Sequence, residues 1–220
     1  MDHFQMLVRF FQEGGIFMYP IMLIFAVGIA IALERYIYLT ISRSGNRKAW
    51  NKVLPSLKEG KFEQALKVAE NTKTSIGNIL SYGLSRAHSS RRREDVEMAM
   101  EEGLMEVVPR LEKRTPYIST LANICTLLGL LGTIVGLIQA FTAVAQADPA
   151  EKADLLSASI SVAMNTTAFG LMCAIPLLII YALLQSRTTE IVDSLEMASV
   201  KFLNIFSDNH HQIEKREINR

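Results

Sequence analysis

Three long apolar stretches constrain what this 220-residue chain can fold into. They lie at 16–41, 115–146 and 155–186, and only Glu34-Arg35, near the end of the first, brings charge into the apolar runs. A bilayer core about 30 Å thick needs about 20 helical residues, and only a helix satisfies its own backbone hydrogen bonds in lipid. The sequence therefore predicts an all-α membrane protein whose three transmembrane helices occupy these stretches.

The connections between the spans differ in charge. Residues 42–114 hold about fifteen Lys and Arg against about ten acids, whereas 147–154 hold one lysine against three acids. Cytoplasmic segments of membrane proteins carry the excess of basic residues. We therefore expect 42–114 to be a cytoplasmic helical region and 187–220 a cytoplasmic C-terminal helix and tail. An amphipathic helix at 1–15 and the 147–154 loop are then expected on the outer side.

Apolar residues continue at helical spacing beyond two of the spans. From Glu94 the pattern runs almost without a break into the second span, and after Ser186 it continues to Ile205. Gly60 interrupts an earlier helical pattern. We therefore predict that two of the transmembrane helices extend into a cytoplasmic helical bundle.

Small residues follow one stripe of the second span. Gly129, Gly132 and Gly136 recur at three- and four-residue steps, and Gly170 lies within the third span. Because small residues allow helix backbones to approach closely in lipid, we interpret these glycines as helix-packing positions. Pro176, inside the third span, is expected to kink it against neighbouring helices.

The first half of the third span is polar for a membrane helix. One interpretation is that its hydroxyls bond to the carbonyl of the preceding turn and do nothing more. The side-chain amide of Asn165, however, is costly in lipid unless it faces protein or water. Counting along the antiparallel spans puts Thr133 and Thr167 at similar depth, so a second interpretation is a narrow polar path. The polar residues are Ser157, Ser159, Ser161, Asn165, Thr166 and Thr167.

No Asp, Glu, Lys, Arg or His lies within the second or third span. Glu34 and Arg35 adjoin in the first, where neighbours along a helix cannot face one another, and we expect them to snorkel or cap. Because a proton path needs a group that titrates, a partner would have to supply the acid.

Several function classes lack support in the sequence. It contains no phosphate-binding loop, no His-Glu-x-x-His zinc motif and no Gly-x-Ser-x-Gly elbow, so we do not expect an enzyme. Cys125 and Cys173 are expected to be packing residues, and no cofactor or metal is predicted, with His210-His211 a weak exception. A net charge of +1 gives no argument for nucleic acid.

Two segments resemble the signatures of one family. Residues 128–136, Leu-Gly-Leu-Leu-Gly-Thr-Ile-Val-Gly, resemble the Leu-Gly-Leu-Leu-Gly-Thr-Val-x-Gly signature of ExbB and TolQ. Residues 166–176, Thr-Thr-Ala-Phe-Gly-Leu-Met-Cys-Ala-Ile-Pro, resemble the Ala-Thr-Ala-x-Gly-Leu-x-x-Ala-Ile-Pro segment of the same proteins. The chain is thus similar to the ExbB/TolQ/MotA proton-channel family. Its three spans fit the ExbB/TolQ branch better than MotA, which usually has four.

The resemblance implies a function and partners. In the family, five copies form a ring in the bacterial inner membrane around a dimer of a single-span ExbD- or TolR-type subunit that carries a membrane aspartate. Thr133 and Thr167 match the threonines that face this aspartate, and Thr166, Asn165 and Ser161 would shape the route. Ion flow through the ring drives rotation, and the work passes to a TonB- or TolA-type transducer. The N-terminus would be periplasmic and the C-terminus cytoplasmic.

Two departures from the family pattern keep alternatives open. Val162 stands where ExbB has a glutamate, so the ring would bring no acid of its own. Thr166 stands where alanine is usual, and extra oxygen atoms suit a hard cation such as Na⁺. The first interpretation is a motor driven by protons. The alternatives are the same motor driven by Na⁺, and a structural membrane scaffold that conducts no ions.

Overall fold

Every regular element in the described part of the chain is an α-helix. The computed structural model describes residues 15–90 and 92–218, with side chains as far as 209. The amphipathic helix predicted at 1–15 falls almost wholly outside this range, as do the side chains of His210 and His211. The helices are α1 (Met18–Lys58), α2 (Phe62–Asn71), α3 (Ser75–Ser89), α4 (Arg93–Glu112), α5 (Thr115–Gln146) and α6 (Lys152–Ile218).

Three helical stretches are long and apolar enough to cross a membrane. They are Met18–Lys58, Arg93–Gln146 and Lys152–Asn209; the last two contain the predicted spans 115–146 and 155–186, and the first contains 16–41 except for its first two residues. The all-α, three-span prediction is therefore confirmed. Cys125 and Cys173 are both free and buried, as expected of packing residues.

The first helix extends further than predicted. It continues beyond Ile41 to Lys58 and ends in a Schellman motif, in which the Lys61 amide donates to the Ser56 carbonyl at 2.9 Å and the Gly60 amide to the Leu57 carbonyl at 3.1 Å. Gly60 has φ +71°, a left-handed conformation that glycine adopts without a Cβ penalty. The sequence located this break correctly but did not show that the helix reaches it without interruption.

The second span is separated from the preceding helix by a short break. α4 ends at Glu112 and α5 begins at Thr115, with Arg114 at φ +70° between them. Pro116 stands in the first turn of α5, where its missing N–H is tolerated, but it could not continue a helix from α4 without losing a hydrogen bond. The predicted helical run from Glu94 into the second span is therefore present but interrupted at Lys113 and Arg114, whereas α6 continues through Pro176 unbroken.

The chain divides into two compact units, and α1 and α6 contribute residues to both. The first unit comprises the residues up to Arg35 together with Arg114–Leu184. The second comprises Tyr36–Lys113 together with Gln185 onward.

In the first unit, two polar contacts join the end of its α1 segment to the start of α5. Arg35, only 3% exposed, donates from Nε to Thr115 Oγ1 at 3.1 Å. Glu34 pairs with Arg114 at 2.8 Å in a half-exposed ion pair. The two neighbours point to different partners, as expected, but Arg35 does not snorkel because Thr115 provides a buried acceptor. These contacts hold α1 and α5 together at this end of the spans.

In the second unit, aromatic rings form the centre of the core. Phe62 of α2 packs edge-on against Phe202 and Phe206 of α6, with ring centroids 6.5 Å and 5.8 Å apart. Phe202 and Phe206 are almost fully buried. α3 begins with Thr74 as its cap, whose Oγ1 accepts from the Gly77 amide at 3.2 Å. Burial of these rings stabilises the unit far more than its exposed ion pairs do.

Phe202→Ala is expected to destabilise the second unit by about 3–5 kcal/mol, because it removes a buried ring and leaves a cavity. Denaturant titration, with hydrogen exchange of the α2 and α6 amides as the readout, measures the loss of stability. Val200→Ala is the matched control, since Val200 lies on the same helix and is 54% exposed. Equal stability of the two variants would contradict the assignment of Phe202 to the core.

Candidate functional site

The glycines of α5 lie where α6 approaches its backbone. A methyl group added at Gly129 would lie 3.2 Å from the Cα of Thr167, and one added at Gly136 would lie 3.0 Å from the Cβ of Ala163. One added at Gly170, on α6, would lie 2.6 Å from the carbonyl oxygen of Cys125. Larger residues would force the helices apart, so these positions allow the two backbones to contact one another directly.

The contacts define the register between the two spans. Gly129 lies against Thr167, Gly132 against Thr166 and Gly136 against Ala163. Residue numbers therefore rise along α5 as they fall along α6, as in an antiparallel pair. Thr133 follows Gly132, so it lies level with Thr166 and within about one helical turn of Thr167 along the spans.

Thr167 makes a hydrogen bond from one span to the other. Its Oγ1 donates to the carbonyl oxygen of Gly129 at 2.7 Å. That carbonyl is reachable because Gly129 has no side chain to cover it on this face. A hydroxyl that donates one bond keeps two lone pairs that accept protons or coordinate cations. Thr167 therefore both joins the two helices and places a polar oxygen at the crossing of α5 and α6.

The other two threonines bond within their own helices. Thr166 Oγ1 donates to the Val162 carbonyl at 3.0 Å, and Thr133 Oγ1 to the Leu130 carbonyl at 2.6 Å. Thr166 is 2% exposed and packs its methyl against Gly132, whereas Thr133 is half-buried. The local-bond interpretation thus describes these two hydroxyls, and Thr167 departs from it. Within one chain Thr166 fills space between helices, and its role in an ion route stays a prediction.

Asn165 and Ser161 lie toward the open side of α6. Asn165 is half-buried and Ser161 is exposed, and no group in the described ranges bonds to either side chain. They are four residues apart, so they share one face of the helix. Their open polar groups lie on a helix that is otherwise predominantly apolar, and lipid does not satisfy such groups. This face is therefore suited to contact water or another protein chain.

The arrangement provides oxygen atoms but no acid. The described residues contain no cluster of three or more His, Cys, Asp or Glu that could hold a metal ion. Hydroxyl and carbonyl oxygens can pass a proton or a cation but cannot store a proton at neutral pH. Transfer of a proton at this point would need a titratable group from elsewhere.

Two contacts at this site were not foreseen from the sequence. Ala163 lies opposite Gly136. The Cβ of Phe17 lies close to Gly132, at 3.5 Å from where an added methyl group would be. The signal for Ala163 was available, because it lies one heptad before Gly170 and both positions hold small residues. Phe17 carried no distinguishing pattern, since it is one of many apolar residues in the first span.

The model of the MotA/TolQ/ExbB proton channel family matches residues 71–197. This range includes both α5 and the crossing with α6. The match therefore covers every residue that α5 and α6 contribute to the candidate site.

Three relatives extend the match. The chain is 30% identical over 198 residues to an ExbB homologue of Methanothermobacter thermautotrophicus, covering 89% of this chain and 69% of that protein. It is 27% identical to the biopolymer transport protein exbB1 of Vibrio cholerae, covering 75% of this chain and 73% of that one. It is 31% identical to the Tol-Pal system protein TolQ of Haemophilus influenzae, covering 52% and 48%.

Proposed function

This chain belongs to the MotA/TolQ/ExbB proton channel family, and from that premise we propose that it is the ring-forming subunit of an ion-driven motor. It is a membrane protein of a channel family. In the proposal, protons cross the bacterial inner membrane beside Thr133 and Thr167, and their movement turns the ring relative to a partner. The ion is the cargo, and the proposal assigns no cofactor and no catalytic residue.

The observation that carries the proposal is the hydrogen bond from Thr167 to the Gly129 carbonyl. The bond joins Gly129, in the first family-like motif, to Thr167, in the second. Thr133 lies within about one helical turn of this bond along the spans. Plain helix packing at this crossing needs only small residues. The Thr167 hydroxyl adds to this packing a polar oxygen in the middle of the spans, with two lone pairs left to accept a proton or coordinate a cation.

The proposal requires an acid from another chain. Neither α5 nor the membrane part of α6 contains a titratable carboxylate, and Val162 leaves this chain without the glutamate of the ExbB pattern. We propose that a single-span subunit of the ExbD or TolR type supplies a membrane aspartate beside Thr133 and Thr167. A TonB- or TolA-type transducer would then receive the work.

The exposed apolar side chains of the spans support assembly into a ring. Large apolar residues remain open on all three spans, among them Leu23, Leu127, Ile134, Met172 and Leu183. In a bilayer these side chains face lipid or a neighbouring copy. We propose a pentamer, with the N-terminus periplasmic and the basic residues of 42–114 on the cytoplasmic side, following the positive-inside rule.

Ion flux into vesicles tests the proposal. The chain is reconstituted with its single-span partner, and flux is measured under a pH gradient and separately under a Na⁺ gradient. We expect flux that follows the pH gradient and needs the partner. Protein that assembles fully yet conducts under neither gradient would establish the alternative, a membrane scaffold.

Thr166→Ala separates the proton from the sodium interpretation. The Thr166 hydroxyl is buried and donates to its own helix, so we expect its removal to leave proton flux within about twofold of wild type. If Na⁺ is the coupling ion, the Thr166-Thr167 pair offers two adjacent oxygens, and Na⁺-dependent flux falls when one is removed. Thr142→Ala is the matched control, because the Thr142 hydroxyl also donates to its own helix, at the Ile138 carbonyl.

A further inference from the structure

Asn46 holds a buried hydrogen-bond donor without a partner. Its side chain is only 6% exposed, and its Oδ1 accepts from the Ile76 amide at 3.2 Å. That bond sets the orientation of the amide, because the opposite orientation would place an NH₂ group against an N–H. Nδ2 is the one buried side-chain polar atom in the described residues that has no hydrogen-bond partner. A buried donor without a hydrogen-bond partner is energetically unfavourable, so it points to a ligand.

Asn46 lines a cavity that also carries three cations. Arg43, Arg47 and Lys201 line it together with the amide, all within the second unit. One acid is present, Glu190, which pairs with Arg43 at 3.1 Å where both side chains are more than half exposed. The lining therefore has an excess of two positive charges, which favours an anion.

The cavity has the size and composition of a small-ligand site. Its volume is about 310 Å³, within the range of ordinary ligand pockets. Trp50 and Met197 form part of the apolar lining. A guanidinium binds phosphate oxygens through paired N–H groups, and a neutral amide donor adds a bond without repelling the cations. The combination suits a phosphate group carried on a small organic body.

We propose that this basic cavity binds a phosphate group, with Asn46 Nδ2 donating to one of its oxygens. Arg47 and Lys201 neutralise the charge, and Arg43 contributes where it is not engaged by Glu190. The inference stands apart from the proposed ion route, because none of its residues lies in the spans. Failure of one leaves the other intact.

Two sources of phosphate fit the cavity. Arg43 and Asn46 follow the predicted first span by only two and five residues in sequence, which makes a lipid headgroup one candidate source. Lys201 follows the predicted third span by fifteen residues in sequence, which makes a soluble phosphate the other. The shared chemistry is the phosphate, and the experiment separates the two sources.

Trp50 makes the binding measurable. It is the chain's single tryptophan and lines the cavity, so its fluorescence reports on an occupant. The full-length chain in neutral detergent is titrated with sodium phosphate, with NaCl at matched ionic strength as the blank. We expect a saturable change in emission with phosphate and none with chloride. Absence of a saturable change in the neutral detergent, which carries no phosphate, overturns the proposal.

Asn46→Asp is the sharpest variant. It keeps the acceptor for the Ile76 amide and replaces the unpartnered donor by a second acceptor that repels an anion. The new carboxylate lies beside cations, so the variant should fold, as an unchanged melting temperature would show. We expect phosphate affinity to fall at least tenfold in this variant and in Arg47→Gln. Unchanged affinity in both variants contradicts the assigned site.

Lys73→Gln is the matched control. Asn46 also lines a smaller cavity with Lys73, Thr74 and Ser75, and this variant removes its cation. We expect its phosphate affinity to match that of wild type. A loss in Lys73→Gln with none in Arg47→Gln would refute binding in the basic cavity.

Vesicles identify the source of the phosphate. The chain is reconstituted in phosphatidylcholine alone or mixed with phosphatidylglycerol, and the phosphate titration is repeated. If the anionic lipid abolishes the response of wild type, a lipid headgroup occupies the cavity. If the response persists unchanged, the occupant is a soluble phosphate. Either result supports a phosphate site.

Discussion

Gly170→Ala is expected to separate α5 from α6 and to abolish ion flux. The added methyl group would lie 2.6 Å from the Cys125 carbonyl oxygen and 3.1 Å from the Gly129 Cα. Both are backbone atoms, so no side chain can turn aside to make room. The helices must move apart, and the Thr167 bond to Gly129 then lengthens or breaks. Overpacking of this kind costs about 1–3 kcal/mol and occasionally more.

Thermal unfolding in detergent and flux in vesicles measure the two effects of Gly170→Ala. Gly45→Ala is the matched control, because Gly45 also lies within a helix and its added methyl group would lie 3.4 Å from the Thr74 methyl, an ordinary contact. Alanine is the better helix former, so this control is expected to be neutral or slightly stabilising. Wild-type stability and flux in Gly170→Ala would show that the spans are not in backbone contact at this point.

The three spans could be predicted from the sequence because a chain that crosses lipid can adopt few structures. Long apolar stretches must be helical, and their lengths fix where they lie. The continuity of the helices could not be read in the same way. α1 continues from the first span through Pro55 to Lys58 and ends only before Gly60, whereas α5 starts afresh at Thr115 because Arg114 adopts a left-handed conformation. Arginine has no preference for the left-handed conformation, so the sequence gives no sign of this break.

The same difference holds for the candidate site, where the packing positions could be predicted from the sequence but the hydrogen-bond partners could not. The glycine stripe was visible because small residues at fixed steps have one common use in membranes, and the structure places Gly129 and Gly132 against α6. The partners of individual hydroxyls were not visible. Thr166 and Thr167 are adjacent in sequence, yet one bonds within its helix and the other across to Gly129. That difference depends on a rotation of about 100° per residue relative to a neighbouring helix, which the sequence of one helix does not contain.

Thr167 and Thr133 allow packing to be separated from ion passage. Thr167→Val preserves the side-chain shape but removes the donor to the Gly129 carbonyl, a loss of about 0.5–1.5 kcal/mol. Thr133→Val removes a hydroxyl that donates only within its own turn, to Leu130, so stability should stay within about 0.5 kcal/mol of wild type. We expect both variants to assemble and both to reduce flux to the level of protein-free vesicles.

The comparison between these variants decides what the hydroxyls do. If only packing mattered, Thr133→Val would conduct like wild type, because it weakens no contact between helices. If the hydroxyls line the route, it fails as completely as Thr167→Val while remaining more stable. Thr167→Ser restores a donor at the same position and should recover flux, which a purely steric role for the threonine methyl would not allow. Full flux in Thr133→Val together with none in Thr167→Val would therefore assign the threonine pair to helix packing and remove Thr133 from the ion route.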